Sequence, residues 1–346
     1  MSNKATPPAS LRDKRVYIAY TGGTIGMRRG DHGYEPAPGY LSERLSRMPQ
    51  LDHPGLPRFE LHEYEPLLDS SNVGPAEWSQ IAADIAANYD EFDGFVVLHG
   101  TDTMAYTASA LSFMLDGLAK PVILTGSQIP LVEIRSDARE NLVTSMILAT
   151  SPQINEVCIY LNGSLLRGNR AKKLSASGFD AFASPNFPPL GTVGVDVKLR
   201  PELLLPPGDG LEVHELLGEQ VAALRLFPGI SARMLDRMLD EPLRGVVLET
   251  FGAGNAPARD GELLASLERA SERGIVLVNC TQCIWGAVDM NDYATGSALA
   301  AAGVVSGRDM TVEAALTKLS SLFSRGLSAE EVRKEIGINL KGEISD

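Results

Sequence analysis

Short apolar runs alternate along the chain with stretches in which apolar residues recur three and four positions apart. The runs Val16 to Tyr20, Phe95 to Leu98, Val122 to Leu124 and Val157 to Leu161 have the length and continuity of strands buried on both faces. Between them Trp78, Ile81, Ala82, Ile85 and Tyr89 keep helical spacing, as do residues 106–115 and 141–148. This alternation predicts β-α-β units in a doubly wound, mostly parallel α/β sheet. Ligands of such sheets sit beyond the carboxyl ends of the strands, so the residues that follow each strand are where chemistry is expected.

A region rich in Pro and Gly then interrupts the pattern, with "ASPNFPPLG" at 183–191 and "LLPPGDG" at 204–210. The alternation resumes in Val221 to Leu226, Val246 to Leu248 and Ile275 to Val278 as strands. Leu263, Leu264, Leu267 and Ala270, then Val312, Ala315, Leu316, Leu319, Leu322 and Phe323, read as helix core stripes. Two α/β domains are therefore expected: a flexible N-terminus (1–14), a larger catalytic domain (15–195), a linker (196–210) and a smaller C-terminal α/β domain (211–346). A chain of 346 residues is longer than one core usually serves, which agrees.

Composition acts mainly by exclusion. The net charge is −13 and no run of Lys or Arg exceeds a pair, so no nucleic-acid partner is expected. The first dozen residues carry no apolar segment of the signal-peptide type. Nowhere do apolar residues run to the roughly 18 that a membrane span needs, so a cytoplasmic protein without membrane contact is expected. Cys158, Cys280 and Cys283 are too few for a disulfide framework and fit a reducing compartment. Cys280 and Cys283 form a C-x-x-C, but the five histidines are scattered singly, so the pair reads as two small residues at a strand end and no metal site is expected.

Three strand ends are chemically unusual. In "YTGGTIGM" (20–27), Gly22, Gly23 and Gly26 surround Thr24, allowing positive φ and close backbone approach to a ligand. Neither a dinucleotide fingerprint nor a P-loop is present, and the stretch alone is equally a tight turn. "HGTDT" (99–103) places a hydroxyl beside a carboxylate at the entry to a helix, which suits a nucleophile or proton carrier but also an ordinary helix cap. His99 is read as structural. "RGNRAKK" (167–173) supplies lysines that are either solvated or, if desolvated beside a carboxylate and a hydroxyl, able to hold or relay a proton.

Together with "EYEPLLDSSN", "HGTDTMAYTASALSFML", "TGSQIPL", "GFDAFASPN", "FPGISA", "GNAP", "YATG" and "DMTVEAALTKL", these stretches resemble the bacterial type I (cytosolic) L-asparaginases of the asparaginase/glutaminase family over nearly the whole length. The resemblance implies that Thr24 is the acylating nucleophile and that Tyr34, in "GDHGYEP", stands near it. It also implies that Thr101, Asp102 and Lys173 form a second hydroxyl-carboxylate-amine set. Gly23, Asp69, Ser70 and Ser71, with Thr101 and Asp102, would hold the substrate. The reaction would be a double displacement on L-asparagine with no metal or organic cofactor, the nucleophile's proton passing to Lys173 poised by Asp102 or to Tyr34 perturbed by positive charge. Residues 25–36 would form a lid.

Glutamine is the rival substrate, since one methylene gives modest discrimination. A non-catalytic amino-acid sensor on the same fold is the rival class, although it needs no hydroxyl-carboxylate-lysine set. The family's regulatory asparagine site would fall on Asn255, Cys283, Glu249 and Lys172. Glu249 and Lys172 replace an expected arginine and threonine, so asparagine-driven cooperativity is expected to be lost or altered. The resemblance also implies a homodimer or homotetramer in which residues 289–296 reach a neighbouring chain's site.

Overall fold

In the computed structural model, which describes residues 11–31, 33–216, 218, 220–257, 261–290 and 294–345, the first apolar run becomes β1 (Arg15–Gly22). Strands β2 (Arg58–Leu68) and β3 (Gly94–Leu98) flank it, both parallel to it. Beyond β3 follow β4 (Val122–Thr125) and β5 (Val157–Leu161), also parallel. The sheet then turns antiparallel through β6 (Ser164–Arg167), β7 (Gly191–Val193) and β8 (Val197–Leu199). The spatial order of the eight strands is β8-β7-β6-β5-β4-β3-β1-β2.

Helices cover both faces because successive strand side chains point opposite ways. Phe95 and Val97 pack with Trp78, Ile81 and Ile85 of α1 (Pro75–Ala87) and Leu111 of α2 (Met104–Met114). Val96 and Leu98 pack instead with Leu142 and Met146 of α3 (Ala138–Leu148). Pro75 opens α1 where a missing N–H costs nothing, and Glu77 Oε2 accepts the Gly74 N–H at 2.8 Å, so the helix start is closed by its own sequence.

The second body has four parallel strands in sequence order: β9 (Val221–Arg225), β10 (Gly245–Thr250), β11 (Val276–Thr281) and β12 (Val304–Ser306). Val246, Leu248 and Leu277 face Leu263, Leu267 and Ala270 of α4 (Glu262–Glu272). Val247, Val276 and Val278 face Ala315, Leu319 and Leu322 of α5 (Val312–Ser324). Helices α2 and α5 pack on each other and join the two bodies.

The fold class is the expected one. The linker expected at 196–210 differs: it begins inside the first sheet, since Val197–Leu199 pairs with Gly191–Val193. Further on, Glu212–Val213 pairs with Leu115–Asp116, so the chain stays against the first body to residue 213. Its prolines and glycines shape edge strands and turns rather than a free connector. Most of the N-terminus expected to be flexible (1–14) lies outside the described residues; Leu11–Asp13 forms a 3₁₀ turn, and Lys14 Nζ meets Asp93 Oδ1 at 2.7 Å. The segment 289–296 includes 291–293, also outside the described residues. Among the described residues no helix is long and apolar enough to cross a membrane.

Candidate active site

Strand order reverses around β1, whose neighbours β2 and β3 lie on opposite sides, and this opens a crevice at the carboxyl ends of adjacent strands. Four consecutive strand ends reach it. Thr24 follows β1, Asp69 to Ser71 follow β2, His99 to Thr103 follow β3 and Gln128 follows β4.

The glycines around Thr24 answer to contact as much as to conformation. Gly22 and Gly23 have φ of 135° and 86°, a region that side chains disfavour. A Cβ on Gly23 would fall 2.5 Å from both N and Cα of Gly100, and one on Gly22 would strike the Leu68 carbonyl. A Cβ on Gly100 would strike the Ser70 hydroxyl. Gly22 and Gly23 thus meet the neighbouring strand ends backbone to backbone and Gly100 meets the Ser70 side chain, and only hydrogen fits at each glycine. Thr24 opens the 3₁₀ turn Thr24–Gly26, half-buried, and its hydroxyl has no hydrogen-bond partner among the described residues. The first N–H groups of such a turn have no partner within it and are free for an incoming oxygen.

The second set is fully assembled. Lys173 Nζ donates to Thr101 Oγ1 at 2.8 Å and to Asp102 Oδ1 at 2.7 Å, while Thr101 Oγ1 donates to Gln128 Oε1 at 3.1 Å. The Lys173 side chain is 18% exposed and that of Asp102 67%, so the amine sits inside the crevice and the carboxylate at its mouth. One lone pair of Thr101 is taken by the ammonium and its proton by Gln128, leaving it a poor nucleophile in this arrangement. Gln128 Nε2 donates to Gly178 O at 2.9 Å, and its backbone N–H, with that of Ile129, is accepted by the Asp137 carboxylate.

His99 is structural. It is fully buried, Nδ1–H donates to Gly100 O at 2.7 Å, and Nε2 accepts from Thr107 Oγ1 at 3.0 Å, which in turn accepts from Trp78 Nε1. Burial pushes its pKa down to about 4, so the ring is neutral and holds the HGT turn against α1 and α2.

Asp69 caps the turn Ser70–Asn72, accepting from Ser71 N and Ser71 Oγ at 2.9 Å each, and Thr103 Oγ1 donates to Ser70 O at 2.6 Å. Gly23, Ser70 and Gly100 are therefore in contact, and Asp69 and Ser71 lie exposed at the rim.

Tyr34 is placed elsewhere. It belongs to the hairpin Arg28–Gly30/Gly33–Glu35, is exposed, and donates to Glu133 Oε1 at 2.9 Å. That hydrogen bond pushes its pKa up, the reverse of activation by positive charge. No hydrogen bond joins it to Thr24 among the described residues.

The four candidate regulatory residues are each engaged separately. Lys172 Nζ binds Glu313 Oε1 at 3.0 Å, Glu249 Oε2 lies 3.8 Å from Arg225 Nη1, and Asn255 Oδ1 accepts from the Thr295 hydroxyl. Cys283 is exposed, whereas Cys280 is buried in β11 and its thiol is pushed up to about 12, first by burial and then by Glu249 and Glu313. Glu249, Glu313 and Lys172 thus act on one buried thiol, but Asn255 and Cys283 are not hydrogen-bonded to them.

Gln128 and its support Asp137 are the site residues that sequence reasoning missed. The signal was available: "TGSQIPL" follows a predicted strand, as the other three segments do.

The chain matches the family model described as "Asparaginase, N-terminal" over residues 15–204 and that described as "Glutaminase/Asparaginase C-terminal domain" over 220–335. It is 51% identical to L-asparaginase 1 of Escherichia coli K12 over 336 residues, covering 97% of this chain and 99% of that one. Among solved structures, L-asparaginase I from Vibrio cholerae superposes with a TM-score of 0.89 at 50% identity, covering 96% and 99%. The thermostable L-asparaginase from Thermococcus kodakarensis superposes at 0.86 with 33% identity over the same shares of the two chains.

Proposed function

This chain belongs to the asparaginase family, and on that premise we propose that it hydrolyses the side-chain amide of L-asparagine to L-aspartate and ammonia through an ester on Thr24. The observation that carries the assignment of roles is the contrast between Thr24, whose hydroxyl has no partner among the described residues, and a finished Lys173, Thr101 and Asp102 set on the next strand end. Thr24 Oγ1 attacks the amide carbon, a C–O bond forms, and the C–N bond breaks as the hydroxyl proton leaves with ammonia. A water then attacks the ester carbon, the Thr24 oxygen recovers a proton, and the new carboxylate departs as aspartate. Backbone N–H groups at Thr24 and Thr101 supply donors to the oxyanion, and Lys173, held by Asp102, serves the proton transfers. Gly23, Asp69, Ser70, Ser71 and Asp102 hold the α-amino and α-carboxylate groups. For Tyr34 to take part, the hairpin 28–35 has to release Glu133 and fold inward as a lid.

Acid-quenched enzyme should carry an aspartyl adduct on the peptide containing Thr24, alongside ammonium release from L-asparagine. An adduct on Thr101 reverses the roles, and no ammonium from any amino-acid carboxamide ends the reading. Glutamine differs by one methylene, so a weaker glutaminase activity accompanies the main one.

The regulatory reading follows from charge. Glu249 presents a carboxylate where an amino acid's α-carboxylate would need a cation, and the Lys172 ammonium is already bound to Glu313. Rates should therefore rise hyperbolically with asparagine; a sigmoidal curve would overturn this. The protein acts in the cytoplasm as a homodimer or homotetramer, a reading supported by Ile284 and Trp285, which lie exposed on the loop after β11. Light scattering in solution measures the oligomer.

A further inference from the structure

Lys173 ends a segment that the C-terminal body grips at almost every side chain. The Arg167 side chain is buried; Nε binds Glu156 Oε2 at 2.6 Å and Nη1 reaches Gly342 O at 3.3 Å. Asn169 Nδ2 donates to Lys341 O at 3.0 Å. Arg170, with its side chain 1% exposed, donates from Nε to Gly342 O at 2.7 Å, from Nη1 to Asp309 Oδ2 at 2.8 Å and from Nη2 to Ser345 Oγ at 3.0 Å. Lys172 binds Glu313 of α5.

The irregular tail that receives these bonds, Asn339 to Ser345, is itself fixed. Glu343 pairs with Lys318 at 2.6 Å, both side chains fully buried, and accepts the N–H groups of Leu340 and Lys341. Ser345 N donates to Asp309 Oδ1 at 3.0 Å. Gly342, at φ 77°, has no room for a side chain because a Cβ would strike the Arg167 guanidinium. One carbonyl therefore serves two arginines, and three residues beyond the second arginine stands Lys173, hydrogen-bonded to Thr101 and Asp102.

We propose that Arg170, held by the tail 339–345 and Asp309, is a positioning residue that sets the place of the Lys173 amine in the crevice. This rests on the role given above to Lys173. A solvated lysine carries large side-chain entropy. Here the backbone that bears it is anchored on the far side by a three-pronged guanidinium, so the amine is presented to Thr101 without having to be ordered at each turnover. The C-terminal body thus contributes to catalysis without touching substrate, and misplacement of a reacting group by about 1 Å is enough to cost about 10²-fold in rate.

The test compares wild type with Arg170→Lys, Ser345→Ala, Asn169→Ala and Lys173→Met in the full chain. Each is measured for kcat and KM on L-asparagine and for thermal unfolding, and those that keep Lys173 are also measured for acetylation of its amine by a succinimidyl ester, read from its peptide mass. Arg170→Lys should lower kcat by about 10- to 100-fold with KM changed less than about twofold, and should raise Lys173 acetylation severalfold in protein that still unfolds cooperatively. Ser345→Ala and Asn169→Ala each remove one of the bonds that hold the segment to the tail and should move kcat and labelling the same way by a smaller factor; they decide the matter if Arg170→Lys does not fold. A role confined to stability predicts a lowered unfolding midpoint with kcat and Lys173 labelling unchanged, and that result overturns the proposal. Lys173→Met separates the two levels: if it keeps wild-type kcat, the role of Lys173 itself is wrong, whereas an inactive Lys173→Met beside fully active tail variants rejects the positioning role alone.

Discussion

Thr101 and Thr24 follow neighbouring parallel strands, β3 and β1, and the turns that carry them touch through Gly100 and Gly23. Their hydroxyls are nevertheless held in opposite ways. Thr101 is fixed between Lys173 and Gln128, whereas among the described residues Thr24 has no hydrogen-bond partner, and the hairpin that follows it turns its tyrosine to Glu133. On the roles proposed above, one half of the site is ready before substrate arrives, and the other is completed by substrate. A nucleophile gains from being unsolvated and unshared until the amide carbon reaches it, whereas a proton carrier gains from fixed geometry.

The largest expected effect separates the two threonines. Thr24→Ala should lower kcat by about 10⁴-fold or more with no ester formed, while Thr101→Ala should slow ester hydrolysis and let the Thr24 ester accumulate in the quenched mass spectrum. Equal losses with no ester in either variant would erase the distinction.

Next comes Gln128, whose side chain accepts from Thr101 in the prepared half. Gln128→Ala frees the Thr101 proton and should lower kcat by about 10-fold, with little change in KM. An unchanged kcat would mean that Thr101 orientation is immaterial.

The prepared half should also be the pH-sensitive one. His99 has its folded pKa near 4, below the 6.5 of an unfolded chain, so the native state disfavours the proton that the unfolded state takes up. Stability is then full above about pH 6.5 and falls as the pH drops through 4, by about 3 kcal/mol from this group. His99→Gln should flatten that part of the denaturation profile relative to wild type. Equal slopes would show that the ring does not titrate in this window.

The smallest effect concerns the unprepared half. Glu133→Ala removes the acceptor that holds Tyr34 outward, a hydrogen bond at an exposed position and therefore a weak one. It should change KM by about twofold or less and leave kcat nearly unaltered. A large loss of kcat would mean that Glu133 itself meets the substrate.

The sequence disclosed what has a strong period. Val157 to Leu161 is the observed strand to the residue, and Trp78, Ile81, Ala82 and Ile85 are the buried stripe of α1. β2 escaped because its residues alternate with charges at the sheet edge, and β7 and β8 because they are three residues long and flanked by turn formers. That Thr101, Asp102 and Lys173 come together was legible from the resemblance, and the place of Thr24 and Thr101 after strands from the apolar runs before them. The grip of Arg170 on the tail was not, because a bond between positions 172 residues apart leaves no local trace. The outward hold on Tyr34 depends likewise on Glu133, 99 residues further on.

The backbone contact between Gly23 and Gly100 also limits what can change between the two turns. Peptide meets peptide there, so no side chain can be introduced at either glycine without breaking a turn. Any redesign toward a longer or shorter amide has to start from the walls, at Ser71, Gln128 or the hairpin that ends in Glu35, where side chains still have space to vary.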